Sequence, residues 1–238
     1  RLFRMGVHHF LINENHGIVA FNKEFYFFQN GNINKIGKIK GSRPLVTSFD
    51  NSGNFLYGEY KSNKERNKID IHCYDVKNET WSVKWTFDNI RHIHGVFYDK
   101  YSDSIWVTTG DLDSESSIWN TNDNFNSLNK ICGGNQQLRC IQLLFNKNFV
   151  YFGSDAPDEE NFIYRMSRNN WKIEKLCKVG GPVFYGISNN ENLFFSTSVE
   201  PGHLDNDQSE IWHSKDGKNW EMIHSTKKDF LSMKFFQY

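Results

Sequence analysis

His92 and His94 flank Ile93, and alternation of this kind on a strand sends both imidazoles to one side. They belong to the stretch RHIHGVFYDKYSDSIWVTTGDLD, residues 91–113, which opens on Arg91 and closes on Asp111 and Asp113. YSDS reads as a turn, so the two chemically interesting ends should meet at one end of a hairpin. Three kinds of chemistry suit these side chains. Imidazoles beside a carboxylate can ligate a divalent metal, which makes His92, His94 and Asp113 the metal candidates, with His8 and His9 as supplements. The alternative is that the imidazoles only hydrogen-bond in a channel wall. Carboxylates facing across a pocket can cleave a glycosidic bond, and arginine forks can hold a carboxylate or phosphate. Residues 111–115, DLDSE, alternate acids but lack the glycine and spacing of an EF-hand loop. No GxGxxG, GxSxG or P-loop motif is present, so no organic cofactor is implied; a divalent metal is the one cofactor the residues admit.

The elements that must position these groups are repeated. Polar turns recur before an apolar strand, with Asp75, Asp123, Asn169 and Asp216 as markers at steps of 48, 46 and 47. Ile71, Ile118, Ile163 and Ile211, in the strand before each turn, step by 47, 45 and 48. A period near 47 with several short strands per unit predicts an all-β fold, a β-propeller of four-stranded blades. Five blades fit the units 1–40, 41–88, 89–134, 135–179 and 180–226, with six as the alternative. The tail MKFFQY, within residues 230–238, reads as a closing strand of a single domain spanning 1–238. The 21 Phe and 7 Trp are then chiefly packing between blades, because a lone four-stranded sheet cannot bury both faces.

The repeat places polar residues in register. Arg4, Arg43, Arg91 and Arg139 stand at the start of the first strand of a unit, with Pro182 and Lys234 at the corresponding later places. Glu59, Asp111, Asp155 and Glu200 stand at the end of the second strand. Antiparallel neighbours bring these two sets to one face of the disc, beside the axis. A solvated loop needs no acid at the same place in four units. Asp111, Glu59, Asp155 and Glu200 are therefore the candidate acid–base residues, and Arg43, Arg91, Arg139, Tyr57 and Tyr185 the candidate ligand-binding residues, with Tyr60 a further phenol nearby. The structural alternative is that each arginine–carboxylate pair ties one blade to the next.

Ser214–Trp220, SKDGKNW, resembles the Asp-box, or BNR repeat, of sialidase-like β-propellers, with one residue fewer between Asp and Gly. In that superfamily the box is a turn between the third and fourth strands, far from the site; its carboxylate braces the turn and its Trp packs beneath. The box therefore implies a structural role only, while the arginines suit an acidic ligand, a glycan or an acidic small molecule. The FRIP block of the sialidases is absent, which argues against sialidase activity itself.

Composition sets the remaining expectations. Lys plus Arg equals Asp plus Glu, 28 each, so no basic excess supports nucleic-acid binding. No apolar run has the length of a membrane-spanning helix, and no charged-then-apolar leader pattern heads the chain; a monomer is expected, with the cytoplasm favoured and the compartment otherwise open. Cys73, Cys132, Cys140 and Cys177 show no CxxC spacing and read as free thiols. The functional expectation is a glycoside hydrolase-like enzyme acting on an acidic glycan at the channel face. The alternative is a non-catalytic propeller that binds a glycan or a protein there.

Overall fold

A computed structural model describes residues 6–189, 192–200 and 206–229. It contains five sheets, each of four consecutive antiparallel strands, arranged as a five-bladed β-propeller. Blade 1 is β1 (Val7–Asn13), β2 (His16–Phe21), β3 (Glu24–Gln29) and β4 (Asn32–Lys38). Blade 2 is β5 (Thr47–Phe49), β6 (Phe55–Gly58), β7 (Ile69–Asp75) and β8 (Thr80–Phe87). Blade 3 is β9 (His92–Asp99), β10 (Ser104–Gly110), β11 (Ser117–Thr121) and β12 (Asn129–Gly133). Blade 4 is β13 (Leu143–Phe145), β14 (Phe149–Gly153), β15 (Asn161–Ser167) and β16 (Ile173–Val179). Blade 5 is β17 (Val183–Ser188), β18 (Leu193–Thr197), β19 (Gln208–Ser214) and β20 (Glu221–Lys227). The expectation of five four-stranded blades holds. Arg4, Lys234 and the closing strand 230–238 lie outside the described residues. Among the described residues no helix is long and apolar enough to cross a membrane.

The periodic isoleucines mark a specific device. In every blade the pairing of the third and fourth strands shifts register at one place: Phe25/Tyr26, Ile71/His72, Ile118/Trp119, Ile163/Tyr164 and Ile211/Trp212. A bulge bends its strand and sharpens the twist. The extra residue lies on the fourth strand, and opposite it Phe25, Ile71, Ile118 and Ile163 of the third strand are fully buried against the next blade. Four apolar clusters result, one between each successive pair of blades. Phe25 meets Phe55 and Tyr57; Ile71 meets Ile93 and Val107; Ile118 meets Leu143 and Phe152; Ile163 meets Val183 and Phe195. Among the described residues no such cluster joins blade 5 to blade 1. Ile187 on β17 and Phe10 and Ile12 on β1 are exposed.

Polar ties supplement this packing. Asp99, at the end of β9, is wholly buried and accepts from Arg168 of blade 4 at 2.6 Å, from the Ser102 hydroxyl and from the Tyr101 amide. The four cysteines are free, and burial pushes their thiols up, Cys73 and Cys177 to about 11 and Cys132 to about 12.

Removing one member of a buried ion pair strands the other. Arg168→Ala is expected to lower unfolding free energy by ~3–5 kcal/mol in urea titrations. Lys178→Ala, which breaks the exposed pair with Glu160, is expected to cost under ~1 kcal/mol. Equal effects of the two substitutions contradict the tie between blades 3 and 4.

Candidate functional site

The site grows from the inner hairpin of blade 3. Gly110 of β10 pairs with His92 of β9, so Asp111, the next residue, sits beside the start of the innermost strand. A side chain at position 110 would collide with the His94 ring, so glycine is what lets that imidazole stand against the hairpin. The Asp111 backbone N–H and the Arg91 backbone N–H both donate to Glu115, each at 3.2 Å, and Glu115 is in turn held by Arg66 of blade 2. Gln136 donates to the Asp111 carbonyl at 2.9 Å. Backbone bonds align the neighbouring rims. The Ile93 N–H donates to Glu59 O at 3.1 Å, and the Val183 N–H to Ser154 O at 3.0 Å, each across a blade boundary.

Four side chains reach the Asp111 carboxylate. Arg91 Nη1 lies 2.7 Å from its Oδ2. His92 Nε2, His94 Nε2 and Arg139 Nη2 lie 3.0, 3.3 and 3.4 Å from its Oδ1. Arg139 Nε reaches Asp155 Oδ2 at 3.0 Å, so one guanidinium spans the acids of blades 3 and 4. The Tyr60 ring leans on the site from blade 2, tilted by 36° to the His92 ring with centroids 4.2 Å apart. Asp111 is 17% exposed and Arg91 36%, whereas Asp155 is 1% exposed. Entry is therefore over Asp111 and Arg91, with Asp155 beneath.

Electrostatics separates the carboxylates. Burial opposes ionisation of Asp111, but hydrogen bonds and charge from His92 and His94 outweigh it and hold the carboxyl well below the usual range. Burial pushes Asp155 up to about 8 against the pull of Arg139, with Glu200 and Asp111 adding to the rise. Glu200 is raised by burial, opposed by Arg139 and assisted by Asp111. Tyr60 is raised by burial and by the fields of Asp111, Asp155 and Glu200. Burial lowers His94 to about 4.

Of the residues singled out from sequence, Asp111, Asp155, Glu200, Arg91, Arg139, His92 and His94 therefore share one electrostatic site. The others lie elsewhere. Glu59 turns to His72 at 2.9 Å and Lys61 at 2.6 Å; burial raises its carboxyl, and those two partners bring it below the ordinary value. Tyr60 stands at the blade 2 rim instead. Tyr57 is 1% exposed in the core between blades 1 and 2 and accepts the Lys40 N–H at 3.2 Å, so a ligand cannot reach its ring. Arg43 lies beside His8, Nη1 to Nδ1 3.4 Å, and His9 contacts Pro44 O. Tyr185 is 58% exposed on β17. Asp113 is exposed and accepts from Gln136 at 2.8 Å; the carboxylate beside the imidazoles is Asp111. Glu115 and Gln136 were not foreseen, because they come from loops with no repeat position.

No protein-family model matches this sequence, and no curated protein sequence matches it. Solved structures match its fold. An oligogalacturonate lyase in complex with manganese has a TM-score of 0.63 at 10% identity over 94% of this chain. A GH74 enzyme of Niastella koreensis has a TM-score of 0.65 at 15% identity over 91%. A TolB-like protein of Agrobacterium tumefaciens has a TM-score of 0.60 at 13% identity over 90%. The chain spans 65%, 38% and 78% of those proteins, and 22% of the tricorn protease, which it also resembles. At these identities the likeness is one of propeller fold.

The Asp155 environment makes a pH prediction. Between the ordinary aspartate value of 3.8 and about 8, the folded chain keeps a proton that the unfolded chain has released. The stability that goes with this raised value is complete below 3.8 and falls as pH rises toward 8, with a limiting slope of ~1.4 kcal/mol per pH unit. Asp155→Asn removes that slope. Its melting temperature relative to the parent is expected to rise steadily from about pH 5 to about pH 8. A difference that is flat with pH contradicts a protonated Asp155.

Proposed function

We propose that this chain is a carbohydrate-active, glycoside hydrolase-like propeller that takes an acidic glycan at the channel end built around Asp111. The observation that carries the reading is the splitting of proton affinities among carboxylates that share Arg139. Asp111 is driven toward the ionised form, while burial disfavours ionisation of Glu200 and Asp155. Glycosidic cleavage needs such a pair, one group to give a proton to the leaving oxygen and one to act as base or nucleophile. Glu200 is partly exposed and is assigned the proton donor; Asp111 is assigned the base or nucleophile. Asp155, sealed beneath, disfavours further negative charge and keeps Arg139 in place. Arg91, the most open cation of the cluster, pairs with the anionic group of the ligand. That a glycoside hydrolase and a lyase of oligogalacturonate share the fold is compatible with this reading.

A second reading, a non-catalytic glycan or protein binder, draws on a specific feature. Asp111 already occupies both Arg91 and Arg139, as a brace would. The Asp-box reading of residues 214–220 is supported by Asp216, whose carboxylate accepts from the Lys218 and Asn219 amides at 2.8 and 2.7 Å, and by Trp220, stacked on Phe195. This turn joins β19 to β20 and is structural in either reading.

The test is turnover of a panel of uronate-containing, sialylated and neutral glycans. The parent is expected to cleave an acidic member, Asp111→Asn and Glu200→Gln to lose ~10²–10⁴ in kcat, and Arg91→Ala to raise KM for acidic glycans selectively. Binding without turnover of any member replaces the enzyme by the binder. Variants that change stability while leaving ligand affinity unchanged leave only the brace.

A further inference from the structure

The contacts of His92 and His94 contain a hydrogen deficit. His92 Nδ1 faces the Lys61 carbonyl at 3.1 Å, and His94 Nδ1 faces the Cys140 carbonyl at 3.2 Å. A carbonyl oxygen only accepts, so each Nδ1 must carry the hydrogen. In a neutral imidazole the Nε2 is then a bare lone pair. The two Nε2 atoms nevertheless face one another at 3.2 Å, and both face Asp111 Oδ1, at 3.0 and 3.3 Å. With both rings neutral, three acceptors thus form a small triangle with no hydrogen of their own inside it, and the imidazole hydrogen bonds to Asp111 require protonated rings. Protonating one ring supplies a hydrogen to one edge and leaves the other acceptor contacts bare.

We infer that this triangle is a binding site for a first-row divalent transition metal ion, held by His92 Nε2, His94 Nε2 and Asp111 Oδ1. The edges are the right length. Nitrogen and oxygen ligands at ~2.0–2.2 Å from an ion lie ~2.9–3.4 Å from one another, so these donors are already spaced as vertices around a metal. The outer contacts are also those that metal-binding histidines make, with the second ring nitrogen donating to a carbonyl that fixes tautomer and ring angle. Asp111 can accommodate the ion. Arg91 keeps Oδ2 at 2.7 Å, and only the longer 3.4 Å contact of Arg139 with Oδ1 is given up. Two imidazoles and one carboxylate favour zinc, manganese, iron or cobalt over the oxygen-seeking magnesium and calcium. Three protein donors leave coordination positions for a ligand from the entry side, where Arg91 is exposed.

The other group of similar composition, Glu59, Asp70 and His72, lacks this signature. Both Glu59 oxygens are paired, with Lys61 and with His72, and Asp70 accepts from the Thr86 hydroxyl at 2.7 Å. It serves as the internal control. The metal inference goes beyond the acid–base reading and does not depend on it.

The experiment is titration of the chelator-stripped full chain with Co²⁺ and Zn²⁺, followed by cobalt d–d absorption and calorimetry. One ion per chain is expected, with a cobalt spectrum of nitrogen–oxygen ligation and no competition from millimolar Mg²⁺. His92→Ala and Asp111→Asn, checked for folding by near-ultraviolet circular dichroism, are expected to bind at least 100-fold more weakly. His72→Ala is expected to bind as the parent does. A parent that takes up no stoichiometric ion overturns the inference, as does unweakened binding by folded His92→Ala or loss of binding in His72→Ala. The readout is metal loading alone, so absence of glycan turnover leaves it untouched. A chain that cleaves glycans yet loads no ion overturns the metal and spares the acid–base assignment.

Discussion

A four-stranded antiparallel sheet has two apolar faces and cannot bury both by itself. Blades 1 to 4 solve half of that problem by burying one third-strand residue, opposite the bulge of the fourth strand, against the successor blade. Phe25, Ile71, Ile118 and Ile163 do this at equivalent places, and each is fully buried there. Burying a side chain of that size stabilises by ~1.5–3 kcal/mol, repeated at four interfaces. The bulge matters as much as the residue. The extra residue bends the fourth strand and sharpens the twist beside that buried contact. The radial position of every inner strand, and so of every rim side chain, follows from that packing.

The rim inherits a difficulty from the same geometry. Inner strands crowd toward an axis, and polar groups at their ends lose water. Burial alone would neutralise all the carboxylates. Asp111 escapes because two imidazoles and two guanidiniums reach it, while Asp155 has one side-chain partner, Arg139, and a buried Oδ1 without a hydrogen-bond partner. Equivalent places in the repeat thus become chemically unequal. The inequality depends on residues that do not repeat: the His92–Ile93–His94 alternation and the loop residue Glu115.

This division explains what could be read from sequence. The period was legible because the third-strand residue opposite the bulge and the Asp or Asn of the following turn both recur, and both sit where backbone geometry tolerates little change. Arg91, Arg139, Asp111 and Asp155 were legible for the same reason. Glu59 shares their repeat position yet leaves the site, because His72, on the strand next to β6, is nearer and supplies a partner. Tyr57 failed through burial. Both faces of β6 are core, Leu56 toward blade 3 and Tyr57 toward blade 1, so neither parity reaches the site, and the phenol beside the imidazoles is Tyr60, beyond the strand end. Asp113 failed because Gln136, from a different loop, takes its carboxylate. No spacing rule within a single strand could anticipate partners that only the assembled ring brings near.

The charge balance of the site is the last consequence. Two guanidiniums, Arg91 and Arg139, meet one committed carboxylate, Asp111, and two others whose ionised forms burial disfavours. Were all three acids ionised, the cluster would repel anions. With Asp155 protonated the two guanidiniums are balanced by Asp111 and Glu200 instead of outnumbered, and Arg91 is the more open of the two cations. A buried acid that stays neutral is therefore not idle in such a site. It occupies the volume a carboxylate needs, accepts from Arg139, and leaves the cationic field to the entering ligand. The position of Asp155 in the repeat and its depth beneath Arg139 thus set the local balance of charge at the rim, in a chain whose formal charges otherwise sum to zero.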